Sequence, residues 1–184
     1  MSLDCYLPGK MIVIDASGWS DLLLGVVVCA IKPPQSMVFE RRISTEAFQP
    51  PNFKNKKYHA EAERIADELL TVMKADSETC FKVCSEYILS AIVKVLQNKG
   101  FKVEIVESTG DLRKTVDDAY IRWCVEKGVP REMLDGKMRF WRFVEWVAEN
   151  PHVREGLVKT GWASWDRKWR TEVYKEHVKK LQNI

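Results

Sequence analysis

Apolar residues recur along this chain with two different spacings, and the order in which the spacings alternate predicts the fold. Met11 to Ile14 is a short apolar run closed by Asp15, Leu22 to Ile31 is a second run, and Met37 to Ile43 alternates apolar with polar. Runs of this length with period two read as strands. Ala16-Ser17-Gly18 is small and turn-prone, and Pro33-Pro34 ends the second run, so the three strands form an antiparallel meander. A loop follows over Phe48 to Lys57, broken by Pro50-Pro51. From Tyr58 the period becomes 3.6, with Tyr58, Ala62, Ile65, Ala66, Leu69 and Met73 on one helical face. Phe81 to Cys84 is a strand, Tyr87 to Leu96 a helix stopped by Asn98-Lys99-Gly100, and Phe101 to Val106 a further strand. Asp111 to Glu126 is a helix that ends before Gly128-Val129-Pro130. The order β-β-β-α-β-α-β-α predicts an α/β fold, a mixed five-stranded sheet with helices on its faces.

After Pro130 the strand signals stop. Lys137 to Glu149, Pro151 to Val158 and Trp165 to Leu181 read as three helices. Residues 128–184 are therefore expected to be a helical, Trp-rich extension packed on a domain formed by residues 1–127, since three short helices have little core of their own.

Composition narrows the class. The 184 residues are 46% hydrophobic and 30% charged, which suits a globular chain and not a disordered one. The longest apolar run, Leu22 to Ile31, is far short of the roughly 18 residues that would span a membrane. Asp4 precedes any apolar stretch and there is no basic leader, so no signal peptide is expected and the chain reads as cytoplasmic. The five cysteines are odd in number and sit mostly inside apolar runs, the pattern of reduced thiols. Cys80 and Cys84 have no second Cys or His pair nearby, which argues against zinc. A net charge of +3 permits nucleic-acid binding without requiring it.

Four segments, in order, resemble ribonuclease HI. They are I-V-I-D-A-S (Ile12 to Ser17), Y-H-A-E-A (Tyr58 to Ala62), V-C-S-E-Y-I (Val83 to Ile88) and V-E-I-V-E-S-T-G-D-L-R-K-T-V-D-D-A-Y (Val103 to Tyr120). The resemblance covers about residues 11–127 and implies a ribonuclease H-like fold acting on phosphodiesters of RNA or DNA with two divalent metals, Mg²⁺ or Mn²⁺. Magnesium takes hard oxygen ligands, so carboxylates from separate elements must converge. The resemblance assigns that role, metal ligation and catalysis, to Asp15, Glu61 and Asp117.

One position departs from the family. Cys84 stands where its third Asp would be, and soft sulfur is a poor partner for a hard cation. Glu86 or Asp118 would then have to supplement the set. Two functions follow as expectations: a metal-dependent nuclease, or a catalytically eroded module of the same fold that binds nucleic acid or a protein. His59 beside Glu61, and Arg142, Arg167 and Lys168 in the extension, are the candidate nucleic-acid contacts. Trp141, Trp146, Trp162, Trp165 and Trp169 either stack bases or glue the extension to the domain, and their helical spacing favours the second role.

Overall fold

The computed structural model describes residues 9–34, 37–108, 110–136 and 138–182. The strands are β1 (Met11–Ser17), β2 (Val26–Ile31), β3 (Val38–Ile43), β4 (Cys80–Cys84) and β5 (Lys102–Val106). They form one sheet in the order β3-β2-β1-β4-β5. β1 pairs antiparallel with β2, and β2 with β3; β4 lies parallel to both β1 and β5. The helices are α1 (Lys57–Val72), α2 (Ser90–Asn98), α3 (Gly110–Glu126), α4 (Arg139–Glu149), α5 (Pro151–Arg154) and α6 (Arg170–Gln182), with a π-helical turn over Trp165–Trp169. Among the described residues no helix is long and apolar enough to cross a membrane.

The sheet divides two cores. Side chains alternate along β1, so Ile12, Ile14 and Ala16 share one face with α1 and α2. The other face holds Val27 and Cys29 of β2 under Leu112, Val116, Ala119 and Tyr120 of α3. Covered on both faces, β2 is apolar at every position, as strands in the middle of a sandwich are. The extension completes the second core with Phe143, Val147, Trp165 and Val173.

The expected second strand is half right. Leu22–Leu24 is not strand but a buried connection, with Leu24 at φ 60°. Its backbone pairs with the extension: Leu24 N–H donates to Leu157 O (2.7 Å) and Lys159 N–H to Leu22 O (3.0 Å). Gly25 permits the close backbone approach at the junction, because a Cβ there would sit 1.8 Å from the carbonyl oxygen of Ile43. An apolar run alone cannot separate a buried strand from a buried loop.

Smaller differences lie at element ends. A 3-10 turn at Tyr87–Leu89 precedes α2. Pro151 to Val158 is the single turn of α5 followed by 3-10 backbone. The start expected for α4 at Lys137 lies outside the described residues, as does Cys5. Cys29, Cys84 and Cys124 are free and buried, but Cys80 is disulfide-bonded, which corrects the expectation of thiols throughout. Cys80 is buried at the start of β4 between β1 and β5, so its place in an apolar run looked like that of a free thiol.

Candidate functional site

Parallel pairing of β1 with β4 runs to Ile14↔Val83, and β4 stops at Cys84. Beyond that point the end of β1 has β2 on one side and an open crevice on the other. Here the strand order reverses direction, the place where open α/β sheets collect ligands. Asp15 is fully buried at this point and, opposite in alternation to Ile14 and Ala16, faces α3. One of its oxygens accepts the N–H of Ala16 (2.7 Å), and the other accepts the hydroxyl of Ser108.

Arg113 stands at the centre of the crevice. Its Nη1 is 3.7 Å from Asp15 Oδ1 and 3.8 Å from Glu86 Oε1, and its Nε and Nη2 form a fork on Asp117 at 2.9 and 2.5 Å. It also donates to Ala16 O at 3.0 Å, while Ser17 Oγ donates to Asp117 at 2.6 Å. Burial works against the Arg113 charge, but the hydrogen bonds to Asp117 and the fields of Asp15 and Glu86 hold its pKa above the ordinary value. Burial raises the Glu86 pKa, Arg113 lowers it, and Asp15 and Asp117 raise it further. Burial, with Asp15 next to it, pushes the Cys84 thiol up to about 11, so it is neutral at pH 7. A cavity of about 290 Å³ lined by Val13, Lys82, Cys84, Val106, Glu107 and Leu112 opens beside the cluster.

Asp15, Asp117 and Glu86 are thus brought together. Glu61 is not. It rides on α1, the helix of the opposite face, and accepts the backbone N–H of Ser44 at 2.9 Å and its hydroxyl at 3.3 Å. Asp118 is about 100° further round α3 than Asp117 and is not among the groups Arg113 touches. His59 lies against Tyr58 and Tyr87, at ring separations of 4.7 and 5.3 Å. Burial and nearby Lys56 depress its pKa, and its Nε2 is buried without a partner among the described residues. Arg142 clamps the carbonyls of Glu132 and Asp135 at 3.0 and 2.6 Å, and Arg167 turns its Nε to Ala163 O at 3.1 Å. Lys168 lies over the Trp169 ring at 4.3 Å.

These residues do not fit a pair of divalent ions as they are arranged. The guanidinium lies among the three carboxylates, Cys84 supplies sulfur where oxygen is needed, and Glu61 is engaged elsewhere. Among the described residues no group of three or more His, Cys, Asp or Glu side chains is arranged to hold a metal. Arg113 was the residue the sequence pattern did not single out. Its spacing of four from Asp117 was the available signal, though i,i+4 pairs are usually solvated and weak.

A second polar group lies under the Gly18–Trp19 turn. Lys159 is fully buried and donates to the carbonyls of Gly18 and Trp19, with the rings of Phe48 and Trp162 at 4.9 and 5.4 Å. Arg139 forks onto Asp21 nearby at 2.8 and 2.6 Å. Burial lowers the Lys159 pKa from 10.5 to about 7, against the pull of Asp21 and Cys124. The unfolded chain therefore holds this proton where the fold has released it, and the Lys159 contribution to stability increases as pH rises from about 7 toward 10.5. Burial raises the thiols of Cys29 and Cys124 from 9.0 to about 12, so their contribution is present below pH 9 and is lost above it. Stability is expected to climb by roughly 2 kcal/mol between pH 7 and 9 and to fall thereafter. Urea unfolding across that range checks it, and in Lys159→Met the climb should vanish. A wild-type curve that is flat or falling from pH 7 to 9 would contradict this account.

No family model matches the chain. It is 26% identical over 99 residues to the ribosomal protein uS12 methylthiotransferase RimO of Protochlamydia amoebophila (strain UWE25). That match covers 53% of this chain and 20% of the other protein, so the chain spans about a fifth of that relative's length.

Proposed function

We propose that this chain is a ribonuclease H-like protein that binds nucleic acid without cleaving it, its acidic cluster neutralised by Arg113 in place of divalent metal. The observation that carries the reading is the single guanidinium in contact with Asp15, Glu86 and Asp117 at once. An organic cation satisfies the charge of these carboxylates but activates no water and stabilises no leaving oxygen as two metals would. The five-stranded mixed sheet with helices on both faces, in the element order that the resemblance implies, supports the ribonuclease H-like part. The neutral Cys84 thiol and the engagement of Glu61 by Ser44 support the loss of cleavage.

The test incubates the protein with end-labelled RNA–DNA hybrid and single-stranded RNA in Mg²⁺ or Mn²⁺. Retained binding that weakens steeply with salt, with the strands left intact, is the expected result. Divalent-dependent cleavage that disappears in Asp15→Asn would overturn the proposal in favour of a nuclease.

A further inference from the structure

The extension carries a cluster of rings outside residues 11–127, the region that resembles ribonuclease HI. On α4, Phe140 and Trp141 meet Trp169 of the π-helical turn, at centroid separations of 4.8 and 5.1 Å and interplanar angles of 68° and 79°. Trp165, at the start of that turn, is buried, and so is Trp146. These two belong to the core, as the helical spacing predicts. Trp141 does not: 47% of it is exposed, next to Met138 at 55%. Held edge-to-face against Trp169, the half-exposed Trp141 ring offers an open surface on which a flat ring can stack.

The charges beside this surface choose the occupant. Arginines of the sheet and α3, such as Arg41, Arg42, Arg113 and Arg122, each have a carboxylate partner. Lys168 is exposed over Trp169 and, like the exposed Arg167 on the same turn, pairs with no carboxylate among the described residues, while Glu172 is turned toward Lys175 at 3.2 Å. A cationic guest is disfavoured, because the Lys168 ammonium already occupies a face of Trp169. A planar guest attached to an anion is favoured. π-Helical turns are rare and recur at functional sites, and this one presents Lys168 and Trp169 together.

We infer that exposed Trp141, with Trp169 and Lys168 beside it, is a base-stacking site for single-stranded nucleic acid. The inference deepens the binding function proposed above and rests on it. One base stacks on Trp141 and a flanking phosphate meets Lys168, an arrangement that reads no particular sequence.

Fluorescence anisotropy of a labelled twelve-nucleotide oligothymidylate with the full chain tests it. Trp141→Ala should weaken binding about tenfold, and Trp141→Phe should restore part of the loss. Lys168→Glu should weaken binding and flatten its salt dependence. Lys94→Glu, an equal charge change on exposed α2, should alter binding much less. Circular dichroism confirms that the variants are folded; Trp141 is exposed enough for its loss to be tolerated. Equal binding by wild type and Trp141→Ala would overturn this site and leave the proposed function standing. Failure of the wild type to bind any strand at low salt would remove both. A trimethylammonium peptide that binds in a Trp141-dependent way, where the oligothymidylate does not, would also overturn it.

Discussion

Replacing Arg113 with alanine is expected to destabilise the fold by about 2–4 kcal/mol and to strengthen divalent-metal binding in the crevice. Asp15 is fully buried, and Arg113 is its nearest counter-charge, so truncation leaves an uncompensated carboxylate in the crevice. The loss stays below that of a bare buried ion because Asp15 keeps the Ala16 N–H and the Ser108 hydroxyl. For a chain of 184 residues this is a fall in melting temperature of roughly 5–15 °C. Adding Asp15→Asn to Arg113→Ala should recover part of the loss, since the orphaned charge is then gone, and a double-mutant cycle measures the coupling. Mn²⁺ should raise the melting temperature of Arg113→Ala while leaving the wild type unmoved. It would be held by Asp15, Glu86 and Asp117, the three groups Arg113 now contacts. If Mn²⁺ shifts both proteins equally, Arg113 is not the cation that stands in for metal.

The second large effect concerns the extension. A chain ending at Pro130 should fail to fold cooperatively. Phe143, Val147, Trp165 and Val173 are each almost fully buried in the core over α3. Burial of such side chains contributes about 1.5–3 kcal/mol apiece, so the four together, about 6–12 kcal/mol, are comparable to a typical domain's whole stability, about 5–15 kcal/mol. Their removal also uncovers Leu22–Leu24 and one flank of Tyr120, a large apolar patch. The expected product binds a hydrophobic dye, has no near-ultraviolet dichroism and melts without a sharp transition. A truncated chain with a sharp melt would show that residues 128–184 are a separate appendage.

Periodicity made most of the architecture legible. The 3.6-residue stripe of Tyr58, Ala62, Ile65, Ala66 and Leu69 is the buried face of α1, and the stop at Asn98-Lys99-Gly100 ends α2. What remained hidden depends on contacts between residues far apart. The resemblance assigns Glu61 to the metal-binding set, yet its partner is Ser44, and no local pattern tells a glutamate near the start of a helix which side of a sheet it serves. The same holds for Lys159, an ordinary surface lysine by sequence that is buried because the Gly18–Trp19 carbonyls need donors. The nearness of Asp15 to Asp117 followed from local pattern, a strand and a helix face, although β1 runs on to Ser17 where a turn was expected after Asp15. The guanidinium between them did not, because its importance lies in geometry.

The hydrogen bonds from Leu24 to Leu157 and from Lys159 to Leu22 join segments well over a hundred residues apart. During synthesis the link between the first two strands must wait, unsettled, until residues 157–159 have left the ribosome. Three consecutive leucines are in the meantime free to find wrong neighbours, and late closure of such distant contacts slows folding. Slow release of that segment should therefore prolong the interval in which this chain needs a chaperone.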